Sequence, residues 1–198
     1  MANILIACNN DANVELHNFM QSCADVARQY CADNNHSYTT VIPPSLIESN
    51  VIPPMQKHQL CFIAAHGDYD GIYNEKDADV ITIRTTNYAF ADKGLYTIAC
   101  SCAQNLYPEL NRLGIKLFVG YNAPFIVGDD EDAFGDCAVE GMKHILQGKT
   151  KSEAYKAMLD KYDVVIKTLS FKDKIRLLRD KERLKFEGED NTTIANLK

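Results

Sequence analysis

The segments LCFIAAHGD (residues 60–68) and LYTIACSC (residues 95–102) decide the fold. Each begins with a short apolar run, which predicts a buried β-strand. A side chain that can act as a base or a nucleophile follows each run, His66 after the first and Cys100 after the second. Because ligands of an open parallel sheet bind beyond the carboxyl ends of its strands, we expect an imidazole and a thiol to meet at that edge. These two groups are the minimum set for a cysteine nucleophile with its general base.

Length and composition are typical of one ordinary globular domain. The chain has 198 residues, of which 46% are hydrophobic, and can bury a single sizeable core. Its net charge of −6 implies no general affinity for nucleic acid, and we expect none as a partner. The first apolar run, NILIAC (residues 3–8), is too short for a secretory signal and lacks a basic flank. No apolar stretch reaches the roughly 18 residues that would span a bilayer, so we expect a cytoplasmic protein without a membrane span.

The seven cysteines follow no disulfide framework, and their number is odd. Reduced thiols in a cytoplasmic protein are therefore the preferred interpretation. Cys100 and Cys102 form a Cys-x-Cys pair, but structural zinc usually requires two to four intervening residues and a second ligand pair. We accordingly expect neither a metal nor a cofactor. Cys102 remains the competing nucleophile.

The rest of the chain alternates strands and helices. Apolar patterning predicts strands at 2–8, 39–42, 60–65, 95–99 and 116–120, and helices at 14–32, 104–113, 133–147 and 151–169. A short helix and a loop are expected over 45–56, and a polar hairpin over 67–85 with its turn at 74–77. This order favours an α/β sandwich with a mostly parallel central sheet.

Residues 171–198 differ in character from residues 1–170. Residues 171–186 carry seven Lys or Arg residues against three acidic ones, which predicts a basic helix. Phe171, Ile175 and Leu178 share one face of that helix, and we expect this face to pack on the body of the domain. The final residues, GEDNTTIANLK, are polar and are expected to fray.

The two strand ends resemble those of the caspase-like cysteine peptidases of clan CD. That family has a strand ending in His-Gly and a later strand ending in Ala-Cys, followed soon by a small residue. Here the corresponding residues are Ala65-His66-Gly67 and Ala99-Cys100-Ser101-Cys102-Ala103. Further similarities to the CHAT, gingipain and clostripain-like branch are DYDGIYNE (68–75), KLFVGYNAPF (116–125) and GKTKSEAYKAM (148–158). The animal-caspase pattern Q-A-C-x-G is absent, since Ile98 stands where Gln would be.

The resemblance implies a three-layer αβα sandwich and cysteine endopeptidase activity. Cys100 would be the nucleophile and His66 the general base, with the backbone N–H groups of Gly67 and Cys100 facing the oxyanion. It also implies a protein or peptide substrate, limited cleavage of a partner protein in bacterial immunity or cell death, and an activating partner. A catalytically silent caspase-like scaffold is the alternative, and a flavodoxin-like ligand-binding domain is a second one.

The resemblance also implies that the loop after the strand at 116–120 partly bounds the pocket for the substrate side chain. Its acidic run includes Asp129 and Asp130, and carboxylates there would favour Arg or Lys in the substrate. The other interpretation is a solvated loop whose acids stabilise a helix N-terminus. Asp68 lies nearer to His66 in sequence and is another candidate for substrate binding.

Overall fold

The computed structural model describes residues 1–198 and contains nine strands and six α-helices. The strands are β1 (Asn3–Cys8), β2 (Ser37–Val41), β3 (Leu60–Ala64), β4 (His66–Asp68), β5 (Gly71–Tyr73), β6 (Asp79–Thr82), β7 (Gly94–Ile98), β8 (Leu117–Tyr121) and β9 (Leu184–Gly188). The helices are α1 (His17–Asp33), α2 (Glu48–Val51), α3 (Leu106–Arg112), α4 (Glu131–Leu146), α5 (Lys151–Ile166) and α6 (Phe171–Arg183). Three short 3-10 segments lie at Pro53–Lys57, Tyr88–Phe90 and Ile194–Asn196.

Six strands form the central sheet in the order β2-β1-β3-β7-β8-β9. The first five are parallel, and only β9 runs antiparallel, against β8. The predicted α/β class with a mostly parallel sheet is confirmed. Strands β3 and β7 are direct neighbours, with Ala64 opposite Ile98. The two strands that carry His66 and Cys100 therefore end side by side.

Apolar cores lie on both faces of this sheet. Along β3, Phe62 and Ala64 belong to the larger core, which α1, α4 and α5 cover, whereas Cys61 and Ile63 belong to the smaller core on the opposite face. This alternation follows from the two-residue period of a strand. Burial on both faces explains why β3 and β7 are continuous apolar runs rather than alternating ones.

A second, three-stranded antiparallel sheet leaves the end of β3 directly. It has the order β4-β5-β6, and its first residue is His66. The predicted hairpin corresponds to β5 and β6, while β4 adds a third strand that the sequence analysis did not anticipate. The imidazole therefore belongs to a paired strand and not to a free loop.

The end of the chain corrects two expectations. The predicted helix over 171–186 stops at Arg183, and the next residues form β9 beside β8, with Leu184 and Phe186 turned into the core. The residues after β9 do not fray, because Ile194 and Leu197 are buried in the same core. Hydrogen bonds also hold this segment, since the Lys151 N–H donates to the Thr192 carbonyl at 2.7 Å and the Lys198 N–H donates to the Asp92 carbonyl at 3.0 Å.

The face of α6 that packs on the body is also different from the predicted one. Phe171 is 80% exposed and Ile175 and Leu178 are about 40% exposed, whereas Leu177 is buried with two carboxylates of the same helix. Compared with the predicted orientation, α6 is turned about its axis so that these two carboxylates face the loop after β8 and accept hydrogen bonds from it. These contacts belong to the candidate site.

Candidate active site

The paired ends of β3 and β7 bring His66 and Cys100 to one cavity. One residue beyond the end of β3, the Ala65 N–H donates to the Ile98 carbonyl at 3.3 Å, so the pairing of β3 with β7 continues for one more residue. Both His66 and Cys100 then line a narrow cavity of about 40 Å³. An imidazole and a thiol thus lie at the same edge of the sheet.

Gly67 brings strand β4 into close contact with the backbone at Cys100. A Cβ at position 67 would lie 2.7 Å from the Cys100 carbonyl oxygen, 2.8 Å from the Ala99 Cβ and 3.0 Å from the Cys100 nitrogen. Two of these neighbours are main-chain atoms, which cannot move aside cheaply. Position 67 therefore requires a residue without a side chain.

A tight turn presents Cys100 beyond β7. Ser101 adopts a left-handed backbone with φ of 57°, and its N–H donates to the Ala123 carbonyl at 3.0 Å. The Cys100 N–H donates no hydrogen bond to the protein. Its thiol lies 3.9 Å from the Phe125 carbonyl oxygen, within hydrogen-bonding range for sulfur.

The Cys100 thiol is the only one of the seven that is not fully buried. Partial burial raises the pKa of the Cys100 thiol, and negative charge on Asp180 or Asp68 raises it further. The resting side chain is therefore a neutral thiol at neutral pH. A nucleophilic role requires a base to take its proton.

Cys102 is sealed inside the protein. It is completely buried, its Sγ lies 3.5 Å from the Ala99 carbonyl oxygen, and burial raises its pKa to about 12. It reaches no open cavity without a change of fold. The structure thus gives it the environment of a packed core cysteine.

The acidic residues suggested for substrate binding lie at different places. Asp129 is paired with Arg176 at 3.1 Å and with Lys172 at 3.6 Å, and Asp130 caps α4 by accepting from the Ala133 N–H at 3.2 Å. Neither of them lines the cavity shared by His66 and Cys100. Asp68 is exposed on β4, where its carboxylate accepts from the Tyr69 N–H at 2.7 Å.

The walls of the cavity come from residues that the sequence analysis did not assign to the site. Leu16, Phe19 and Met20 at the start of α1 form one side, and Phe125 and Val127 form the other. The rings of Phe19 and Phe125 stack with their centroids 5.8 Å apart. The signal for Phe125 and Val127 was the apolar stretch APFIV (123–127) just before the acidic run, which is unusual for a solvated loop.

Helix α6 holds the segment 122–130, which we call the wall loop. The Ile126 N–H donates to Asp180 Oδ1 at 3.0 Å, and the Asp129 N–H donates to Asp173 Oδ1 at 3.2 Å. Asp180 has no exposed surface, and burial raises its pKa to about 8. A mostly protonated carboxyl therefore sits behind the wall loop at neutral pH.

The structure contains no cluster of three or more His, Cys, Asp or Glu side chains placed to hold a metal ion. None of its helices is both long enough and apolar enough to cross a membrane.

Comparison with known proteins defines the class of fold. No protein-family model and no curated protein sequence matches the chain. Among solved structures, the central sheet and its helices match the caspase-like α/β fold, which confirms the expected fold class.

The matching structures are those of gingipain R. The Arg-specific cysteine proteinase gingipain R (RgpB) superposes with a TM-score of 0.66 at 10% identity, covering 98% of this chain and 48% of that one. A complex of the pro- and mature domains of RgpB from Porphyromonas gingivalis gives a TM-score of 0.70 at 9% identity, covering 99% and 49%. The chain thus spans about half the length of the structures it matches, and at this identity the likeness concerns the fold alone.

Proposed function

We propose that the protein is a cysteine endopeptidase in which Cys100 is the nucleophile and His66 the general base. The observation that carries this proposal is the shared cavity of His66 and Cys100 at the carboxyl ends of paired strands. Its position agrees with the rule that open parallel sheets bind ligands at this edge. The caspase-like fold, found in a known cysteine proteinase, supports the same reading.

In the proposed reaction, His66 alternately accepts and donates a proton. His66 takes the proton of the Cys100 thiol as sulfur bonds to the peptide carbonyl carbon. The imidazolium then gives that proton to the amine nitrogen as the C–N bond breaks, leaving a thioester on Cys100. Water adds to the thioester carbonyl while His66 accepts its proton, the C–S bond breaks to release the acid product, and the imidazolium returns the proton to the sulfur of Cys100.

Backbone donors stabilise the negative charge on the carbonyl oxygen in this proposal. The Cys100 N–H is uncommitted and belongs to the turn that presents the nucleophile. Gly67 lies against that same peptide, and the absence of a side chain leaves the edge open to a substrate backbone. Removal of one such donor typically costs about 100-fold or more in rate.

The biological setting in this proposal follows from the CHAT-like resemblance. The peptidase would act in the cytoplasm of a bacterium by limited cleavage of one partner protein, in immunity or cell death, under the control of an activating partner. Residues 1–170 supply both reacting groups. Such a role is an analogy at the level of fold, and the site alone carries the chemistry.

A silent scaffold is the second candidate, and two observations favour it. The raised pKa of Cys100 and the narrow cavity beside it also fit a cysteine that never reacts. The two functions differ in whether Cys100 turns over a peptide, which an experiment resolves directly.

The test compares the full-length protein with Cys100→Ala, His66→Ala and Cys102→Ala. Each is incubated with a mixture of peptides and with denatured proteins, and cleavage is followed by mass spectrometry. We expect the first two substitutions to abolish cleavage and the third to leave most of it, provided that circular dichroism shows each variant folded. Cleavage that survives Cys100→Ala would exclude the proposed nucleophile. A folded wild type that neither cleaves nor is labelled at Cys100 by electrophilic peptides would support the scaffold.

A further inference from the structure

We infer that the site selects a small, uncharged aliphatic side chain next to the scissile bond, and rejects Arg and Lys. This inference rests on the proposed function, since it concerns the substrate of the same site. It departs from gingipain R, which is Arg-specific. Its basis is the chemistry of the cavity that His66 and Cys100 share.

The cavity wall is apolar throughout its depth. Apart from His66 it is lined by hydrophobic residues, of which Leu16, Phe19, Met20, Ile98, Phe125 and Val127 are the largest. No carboxylate lines it. A guanidinium or ammonium group placed there would lose its hydration without gaining a partner, which is strongly unfavourable.

Of the nearby acids, three are engaged in the fold, and Asp68 is exposed on β4 outside the lining of the cavity. Asp129 is neutralised by Arg176 and Lys172, and Asp130 is used as a helix cap. Asp180 lies behind the wall loop, where one of its oxygens accepts from the Ile126 N–H. The acidic run that suggested a basic substrate therefore serves the fold around the cavity.

The cavity is also small. Its volume is about 40 Å³, far below the roughly 300–1,000 Å³ of pockets that take a drug-sized ligand. Because a methyl group is larger than a water molecule, a cavity of this size favours the shortest aliphatic side chains, alanine before valine and valine before leucine.

Three features hold the walls in place. Leu16 keeps a left-handed backbone, with φ of 62°, which persists only where the surrounding packing enforces it. Phe19 and Phe125 stack across the two sides of the cavity. The wall loop is tied to α6 through Asp180. A fixed wall discriminates by size because a larger side chain cannot be accommodated without disrupting these contacts.

The inference is tested with fluorogenic peptides that differ only in the residue before the scissile bond, which is Ala, Val, Leu, Arg or Lys. We expect kcat/KM for Ala and Val to exceed that for Arg and Lys by at least about 100-fold, and Leu to fall between them. Phe125→Ala enlarges the cavity and should raise the ratio of Leu to Ala about 10-fold or more. Phe171→Ala makes the same change at a residue that is 80% exposed on α6, and should leave the ratio unchanged.

Each outcome separates the inference from the function on which it rests. Efficient cleavage after Arg or Lys that is lost in Cys100→Ala overturns the inference and leaves the peptidase standing. No turnover of any peptide, with no labelling of Cys100 by chloromethyl ketones of the same five sequences, overturns both. If Phe125→Ala does not fold, Val127→Ala makes a smaller enlargement of the same wall, and an unchanged Leu to Ala ratio there contradicts the inference.

Discussion

Replacing Gly67 with alanine tests how strand β4 meets the cysteine turn. The added Cβ would lie 2.7 Å from the Cys100 carbonyl oxygen and 2.8 Å from the Ala99 Cβ, both inside normal contact distance. Relief requires β4 or the Cys100 peptide to shift, because neither neighbour is the flexible end of a long side chain. Overpacking of this kind costs about 1–3 kcal/mol. For a domain of this size that corresponds to a fall in Tm of about 2–12 °C.

The shift also moves the reacting groups of the proposed peptidase. A displacement of about 1 Å near the chemistry can cost about 100-fold in rate. We therefore expect Gly67→Ala to lower kcat/KM about 100-fold and to slow the labelling of Cys100 by an electrophilic peptide. Calorimetry gives the change in Tm, and intact-mass kinetics give the labelling rate.

Gly135→Ala is the matched control for this experiment. Gly135 lies inside α4, where a new Cβ would meet only the Cys23 Sγ at 3.5 Å and a Phe19 ring carbon at 3.6 Å, which are ordinary contacts. Alanine in a helix interior should stabilise by about 0.5–1 kcal/mol. The reasoning is refuted if Gly67→Ala matches the wild type in both Tm and labelling rate, or if Gly135→Ala is the more damaging of the two.

Three further predictions concern the thiols, the buried acid and the orientation of α6. In the native protein iodoacetamide should label Cys100 alone, because the other six cysteines are buried. The labelling rate should still increase above pH 8, since burial raises the pKa of the Cys100 thiol. A rate that is already maximal at pH 7 would instead show a preformed thiolate. Since the folded-state pKa of Asp180 is about 8, above its unfolded value, its contribution to stability is complete at low pH and is lost as the pH rises towards 8. Asp180→Asn, which can still accept from the Ile126 N–H, should therefore gain stability relative to wild type between pH 5 and 8 in urea titrations, and a constant difference would contradict the assigned pKa. Leu177→Ala should lower the free energy of unfolding by about 2–5 kcal/mol, and the adjacent Leu178→Ala by less than about 1 kcal/mol, because Leu177 is buried and Leu178 is exposed. Urea titrations measure both changes, and the reverse order would support the buried face predicted from sequence.

The sheet and the meeting of its two chemical groups could be predicted because the signals are local. The runs ending at Ala65 and Ala99 are apolar, short and bounded, and parallel strands bring their carboxyl ends to one edge. Strand ends differ from the predictions by one or two residues, which is the normal precision of such boundaries. The placement of His66 and Cys100 at neighbouring strand ends therefore follows from the pattern, whereas their proposed roles rest on the family resemblance.

The cavity and the packing of α6 could not be predicted in this way. Helical periodicity favoured Phe171, Ile175 and Leu178 as the inner face, but it takes no account of hydrogen bonds. Two carboxylates of α6 instead satisfy backbone N–H groups of a loop far away in sequence, and those bonds decide which face of the helix is buried. Leu16 and Phe125 likewise meet only through the tertiary fold.

The segment after residue 170 is tied to the candidate site by two independent connections. Strand β9 pairs with β8, whose continuation is the wall loop, and α6 holds that loop from behind through Asp173 and Asp180. The wall loop in turn supplies Phe125, which contacts Cys100 through its carbonyl oxygen and closes the cavity through its ring. Residues 1–170 thus carry His66 and Cys100, while residues 171–188 support one wall of the cavity beside them.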